Sequence, residues 1–330
     1  MNYLITGGVG FIGSHLIDAL LQWENDGKII CFDNFDNFYS PIVKWKNVLH
    51  NLEDPRFKLV SGNVVDKCSL EKVFKEYKID AVVHLAAQAG VRPSVQNPNL
   101  HFEVNVLGTV NVLEMCRKYR VKKVVYASSS SVYGNHPDTP FVETLNVDMP
   151  LCPYAASKKS AELICYTYHH LYEMDIACVR PFTVYGSRQR LEMAIPLFTK
   201  LIYQNEPITV YGNGETRRDY THVFDVVDGI CKILRRSYGY EIYNLGTFVT
   251  TTLNELIEKI WRRLPNANKP VINYRAPQMG EARMTFANID KARRLLGYNP
   301  IMNLDKGLDQ YIEWFLREEK YATPKKVSSD

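Results

Sequence analysis

Long apolar runs are missing from this chain: none approaches the roughly 18 consecutive residues that a membrane-spanning helix needs. Cysteine is sparse and unpaired. The seven thiols (Cys31, Cys68, Cys116, Cys152, Cys165, Cys178 and Cys231) are odd in number and scattered, with no Cys-x-x-Cys and no paired histidine spacing. That pattern predicts neither a disulfide nor a metal site, and it fits free thiols buried in a reducing compartment. Charge of one sign is also lacking. A net charge of +4 is too small and too dispersed for a nucleic-acid surface, and the short clusters Arg188-Gln189-Arg190 and Arg217-Arg218 suit a small polyanion better. There is no internal repeat or low-complexity segment. No secretory signal is expected, because Met1-Asn2-Tyr3 leads directly into a strand pattern, and a cytoplasmic location follows. The polar tail from Thr323 to Asp330 is expected to fray.

What is present is an ordinary globular composition, 46% hydrophobic and 23% charged over 330 residues, enough for one sizeable core and a smaller lobe. Asn2–Thr6 reads as a buried strand and Phe11–Leu16 opens a helical pattern, so Gly7-x-x-Gly10-x-x-Gly13 sits on a strand-to-helix turn. In that context backbone N–H groups and a helix N-terminus receive a pyrophosphate. A second strand, Lys28–Phe32, ends at Asp33, twenty residues after Gly13. An acidic side chain there accepts hydrogen bonds from ribose hydroxyls and repels a 2′-phosphate. With no Arg or Lys immediately following, the cofactor reads as NAD; the alternative for Asp33 is a solvated loop carboxylate.

Farther along, Tyr154-Ala155-Ala156-Ser157-Lys158 places a phenol and an ammonium four residues apart, on one face of a helix. A free phenol titrates near ~10, and a fixed positive charge beside it makes a usable base at neutral pH. Chance also produces this spacing on amphipathic helices, so the glycine turn upstream carries much of the argument.

Strand-like runs recur at Phe57–Val60, Ala81–Leu85, Lys123–Ala127 and Ile176–Arg180, separated by helical stretches. This alternation implies a Rossmann-type α/β fold, a doubly wound parallel sheet whose ligands lie beyond the strand C-termini. After Pro181 the pattern loosens into helix candidates at Ile195–Tyr203, Leu253–Leu264 and Asp290–Leu296, an extended Pro207–Tyr211 and a turn at Gly212-Asn213-Gly214. We expect an NAD-binding domain over residues 1–181 with returning segments near 223–250, and a smaller α/β substrate lobe from residues 182–222 and 251–330.

Several motifs in order now point one way: Thr6 through Gly13, Asp33-Asn34, His84-Leu85-Ala86-Ala87, Ser128 through Gly134, Pro153 through Lys158, and Arg217 through Val223. The chain resembles the extended short-chain dehydrogenase/reductase superfamily, in its nucleotide-sugar epimerase and dehydratase branch. The resemblance implies catalytic roles for Ser129, Tyr154 and Lys158, the lysine also holding cofactor ribose; Ser129 could alternatively tie down the strand end. It implies cofactor contacts from Gly7, Gly10, Phe11, Ile12, Gly13, Asp33, Asn34, Asn63, Val64, Leu85, Ala86 and Ala87. Asn63 stands where relatives often carry Asp, yet its amide oxygen still accepts a hydrogen bond from adenine. Arg218 is expected on the substrate diphosphate, with Arg283 a second candidate, and Val210 and Tyr211 flank uracil or else form an ordinary hairpin.

Members that dehydrate a hexose carry Asp-Glu just before Val-Tyr-Gly, and those that decarboxylate a glucuronate carry Glu; here Ser130 and Ser131 stand there. Hydroxyls cannot replace a carboxylate acid or base near neutral pH, which argues against dehydration and leaves reversible oxidation at C4. The segments Ala86–Arg92, Arg180–Arg190 and Asp33–Tyr39 look most like UDP-glucuronate 4-epimerases. Thr183, Ser130 and Ser131 would then cradle a C6 carboxylate, with Arg92 or Arg190 supplying charge; alternatively Thr183 satisfies strand-end backbone. A UDP-glucose or UDP-N-acetylglucosamine 4-epimerase, and a noncatalytic NAD-sensing protein on the same scaffold, are the rival readings. The helical stretches Leu100–Tyr119 and Ala156–Tyr172 resemble the pair that family members use to form a homodimer, and both carry more apolar and aromatic residues than one buried face requires, including Leu113, Met115, Tyr166 and Tyr168.

Overall fold

The computed structural model describes residues 1–24 and 26–322; the tail Thr323–Asp330, expected to fray, lies outside them. In chain order the strands are β1 (Tyr3–Thr6), β2 (Ile29–Asp33), β3 (Phe57–Ser61), β4 (Ala81–His84), β5 (Lys123–Ala127), β6 (Asp175–Pro181), β7 (Thr183–Tyr185), β8 (Ile208–Tyr211), β9 (Arg217–Arg218), β10 (Tyr220–His222), β11 (Tyr240–Leu245), β12 (Thr251–Thr252), β13 (Ile272–Arg275) and β14 (Met284–Thr285). The helices are α1 (Phe11–Trp23), α2 (Pro41–Val48), α3 (Lys67–Glu76), α4 (Val91–Gln96), α5 (Pro98–Phe102), α6 (Gly108–Lys118), α7 (Pro153–Tyr172), α8 (Ala194–Tyr203), α9 (Val223–Arg236), α10 (Leu253–Trp261), α11 (Asp290–Leu296) and α12 (Leu304–Ala322).

A seven-stranded parallel sheet runs in the order β11-β6-β5-β4-β1-β2-β3. The chain winds outward from β1 through β2 to β3, then crosses back to β4 and outward the other way. Strand order therefore reverses between β1 and β4, and a crevice opens at their C-terminal ends. Successive side chains on a strand face opposite ways, so a sheet covered on both sides needs apolar residues at consecutive positions. Leu4 and Ile5, Ile30 and Cys31, Val82 and Val83, Val124 and Val125 obey this: the first of each pair packs on α3, α6 and α7, the second on α1, α9 and α11. Each such fully buried side chain contributes about 1.5–3 kcal/mol.

The residues after Pro181 divide between the two bodies. β11 joins the edge of the main sheet beside β6, and α9 packs on α1. The other body has its own core, in which Phe198 and Ile202 of α8 meet Leu256 and Ile260 of α10 and Leu308, Tyr311 and Phe315 of α12. α10 starts on a reciprocal cap: the Thr252 hydroxyl accepts from Glu255 N–H while the Glu255 carboxylate accepts from Thr252 N–H. It ends at Trp261, short of the expected Leu264. β8 is no hairpin strand, since it pairs in parallel with β13.

The surplus apolar residues divide as well. Leu113 and Met115 are buried against the main sheet and cannot serve an interface, and Tyr168 spends its hydroxyl on Glu114. Tyr166 is exposed, as are Phe102, Leu107 and Leu163 on neighbouring turns.

Candidate active site

Two glycines set the floor of the crevice. Gly7 has φ +71°, and a Cβ there would stand 2.6 Å from the Ala86 nitrogen, so only glycine lets the turn after β1 lie against the end of β4. A Cβ on Gly13 would strike Gly8 Cα at 2.7 Å and the Gly7 carbonyl oxygen. The result is a bare backbone cradle at the N-terminus of α1, shaped for a diphosphate. Asp33 closes one side, its carboxylate accepting from Val9 N–H at 3.2 Å and Phe35 N–H at 2.9 Å. Burial pushes its carboxyl above the usual range, against those two bonds and the nearby Lys44 ammonium. Bare glycine backbone with an acidic side chain at the end of β2 fits NAD.

The crevice widens into a cavity of about 880 Å³ between the two bodies. Gly7, Gly10, Phe11, Ile12, Gly13, Asp33, Asn34, Asn63, Val64, Leu85, Ala86 and Ala87 all line it, as do Ser129, Tyr154 and Lys158. α7 carries the last two. Pro153 starts it at a position where no N–H is needed, and the Cys152 sulfur accepts from Ala155 N–H. Lys158, wholly buried, donates from Nζ to the Ala127 carbonyl at the end of β5, 2.7 Å away. Burial pulls its pKa down to about 7, with Cys165 and Glu162 acting in the opposite direction.

The phenol's surroundings differ from the sequence expectation. Lys158 Nζ is drawn to Ala127 and lies 6.0 Å from the centre of the Tyr154 ring. Burial raises the phenol, and the groups that pull it down are the Ser129 hydroxyl and the Arg190 charge rather than Lys158. Ser129 is itself fixed, accepting from Ser131 N–H at 3.2 Å and paired with the Ser131 hydroxyl at 2.8 Å.

Of the residues expected on the substrate, Arg92, Ser130, Ser131, Thr183, Arg190, Tyr211 and Arg218 line the same cavity. Two do not. Val210 points into the core of the second body, because the phase of β8 puts Thr209 and Tyr211 on the cavity side instead. Arg283 is exposed and off the cavity wall, and the same segment presents Glu281. The Arg92 charge is already engaged: its guanidinium donates twice to Glu281, at 2.9 and 3.0 Å, and lies 4.8 Å from the centre of the Tyr211 ring. Arg190 pairs with Glu192 at 3.2 Å and lies over the Phe38 ring.

Sequence reasoning passed over Lys44 and Asn105. Lys44 on α2 returns to the cavity near Asp33, its ammonium donating to the Asp36 carbonyl over the Tyr39 ring; only the helix brings it back. Asn105 lies in a π-helical turn, Glu103–Leu107, and is buried. It exchanges hydrogen bonds with the Gln88 backbone and donates to the Ser157 hydroxyl, tying the loop after β4 to the helix of Tyr154 and Lys158. A π turn is itself a mark of functional sites.

The family model described as GDP-mannose 4,6 dehydratase matches residues 4–311. The chain belongs to that family. It lies within the short-chain dehydrogenase/reductase superfamily, whose epimerase and dehydratase branch is therefore its home. The UDP-glucuronate 4-epimerase of Thermodesulfobacterium geofontis is 40% identical over 94% of this chain and 95% of its own. The crystal structure of UDP-glucuronic acid 4-epimerase from Bacillus cereus, in complex with UDP-glucuronic acid and NAD, superposes with a TM-score of 0.90. It is 31% identical, with 96% of this chain and 100% of that one covered. A dTDP-glucose 4,6-dehydratase from Streptomyces venezuelae with NAD bound gives a TM-score of 0.91 at 29% identity over 97% and 98% of the two chains. As a member of the GDP-mannose 4,6 dehydratase family with relatives among the glucuronate epimerases, the chain is an NAD-dependent enzyme of the isomerase class.

Proposed function

We propose that this enzyme is a UDP-sugar 4-epimerase that interconverts UDP-glucuronate and UDP-galacturonate through a 4-keto sugar. The observation that carries the reading is the pair Ser130 and Ser131, which line the same cavity as Thr183 and stand where the resemblance puts the carboxylates of dehydrating relatives. Bound NAD supplies the hydride acceptor and donor at C4. Tyr154 takes the C4 hydroxyl proton and later returns it, with Ser129 holding the phenol oxygen. Gly7, Gly13 and Asp33 would hold the cofactor, and Arg218, on the cavity wall with its guanidinium donating to the Arg217 carbonyl, would bind the substrate diphosphate. Firm grip on the nucleotide with fewer contacts on the sugar lets the ring turn over between the two steps.

A 4-keto glucuronate is a β-keto acid and loses carbon dioxide once its carboxylate bond aligns with the carbonyl π system. Three neutral donors, Ser130, Ser131 and Thr183, would hold the carboxylate out of that alignment. Seven free thiols, six of them buried, support a reducing compartment such as the cytoplasm, and the exposed apolar residues of α5 and α7 support a homodimer.

Thr183→Val keeps the shape of the side chain and deletes its hydroxyl. It is expected to cost about 1.5–3 kcal/mol toward UDP-glucuronate and much less toward UDP-glucose, with some UDP-pentose released. Chromatography of products from both substrates reads this. Equal losses on the two sugars, or a wild type that turns over only the neutral one, would replace the glucuronate assignment with a neutral-sugar 4-epimerase.

A further inference from the structure

Behind the catalytic wall lies a buried ion pair that the mechanism leaves unused. Glu162 on α7 and Arg180 on β6 are each about 1% exposed at the side chain and meet at 2.7 and 2.8 Å in a two-point contact. Dehydrating both charges offsets their attraction, so such a pair is a weak source of stability and its position asks for another reason. The reason is in its other contacts. Glu162 Oε1 also accepts from the Ser128 hydroxyl at 2.6 Å, and Ser128 directly precedes Ser129. Glu162 is one helical turn beyond Lys158 and two beyond Tyr154 on the same α7. The Arg180 guanidinium lies 4.8 Å from the centre of the Tyr133 ring, at the end of the turn that carries Ser130 and Ser131, and Tyr133 is anchored in turn by donating to Asn244 at 2.7 Å.

One carboxylate thus links the three pieces of chain that carry the reacting groups: the exit of β5, the helix α7, and, through Arg180, the serine turn. We propose that Glu162 is a positioning residue that sets the Ser129 hydroxyl against the Tyr154 phenol, acting through its bond to Ser128. The proposal rests on the reading of Ser129 and Tyr154 as reacting groups. A displacement of that hydroxyl by about 1 Å costs up to about a hundredfold in rate, which is the scale on which the link acts.

Ser128→Ala removes the link and leaves the ion pair whole. With UDP-glucuronate as substrate, kcat is expected to fall about tenfold, with KM and bound NAD unchanged. In a Ser129→Ala background the same change is expected to cost less than about twofold, because the group being positioned is gone. Glu162→Gln is expected to lower kcat further; if it fails to fold, the Ser128 pair of measurements still decides. An unaltered kcat in Ser128→Ala beside a crippled Ser129→Ala would overturn the proposal alone. So would an equal factor in both backgrounds, which marks a purely structural role. An unaltered kcat in Ser129→Ala would overturn the reading of Ser129 beneath it.

Discussion

A phenol partly withdrawn from water is an unpromising base, and Tyr154, half-buried on the cavity wall, makes the difficulty concrete. Burial raises its pKa, and only hydrogen bonding from Ser129 and the charge of Arg190 oppose that rise. The groups that lower it come from other parts of the chain, while Cys152, two residues before Tyr154, adds to the rise. Tyr154→Phe keeps the ring and is expected to lower turnover by at least about a hundredfold with NAD still bound; near-normal turnover would remove Tyr154 from the role of base. The residues that sequence spacing brings to the cavity wall are those whose geometry is local, the glycine turn and the Tyr-x-x-x-Lys face, although Lys158 turns to Ala127 rather than to the phenol. Those it missed or misplaced depend on partners. Val210 goes to the core and Thr209 to the cavity because one residue of strand phase is decided by the second body's core, the segment that carries Arg283 presents Glu281 to the cavity, and Lys44 counts only because α2 folds back over Asp33.

At the scale of elements, α1 does more than present a helix terminus to a diphosphate. His15, on its second turn, donates from Nε2 to the Ser187 carbonyl at 3.0 Å, and Asp18 pairs with Arg188 at 2.8 Å, so the cofactor helix pins the loop that carries Arg190. Burial and then the Arg188 charge push His15 down to about 4, with the Ser187 bond and Asp18 opposing and His50 adding to the fall. His222, held down to about 4 chiefly by burial, lies close by. The folded pKa is below the unfolded value of about 6.5, so the unfolded chain binds the proton first as pH drops. His15 therefore contributes its full stability above about pH 6.5 and loses it as the pH falls toward 4. Against His15→Gln, the wild type is expected to lose about 2–3 kcal/mol more between pH 7 and about pH 4.5. Urea unfolding of both proteins at the two pH values measures this. Asp33, Asp219 and Asp225, whose carboxyls are raised by burial, act with the opposite sign but equally in both proteins. Parallel losses would show that His15 does not titrate as described.

For the whole molecule, the doubly wound sheet was readable because a strand buried on both faces leaves an unbroken apolar run, and five such runs, with the half-buried edge strand β3, alternate with helical patterns. The second body was readable only at α8, α10 and β8, since β7, β9, β10, β12 and β14 are two or three residues long and gain their pairing only from the packed whole. Assembly lies at the same scale. Leu113 and Met115 spend their apolar surface inside one chain, yet Leu163 and Tyr166 on α7 remain 57% and 52% exposed, with Phe102 and Leu107 at 40% and 46% on the segment packed beside it. Exposed apolar residues on adjacent helices support the proposed homodimer. The same helices repeated about a two-fold axis would cover that surface and give a four-helix bundle, with α7 holding Tyr154 and Lys158 on its inner face. Sedimentation at micromolar protein is expected to give a dimer, and Leu163→Glu with Tyr166→Glu a folded monomer, because two carboxylates cannot be dehydrated there without partners. A wild type that sediments as a monomer would remove the dimer, and a double variant that still dimerises would move the interface elsewhere on the surface.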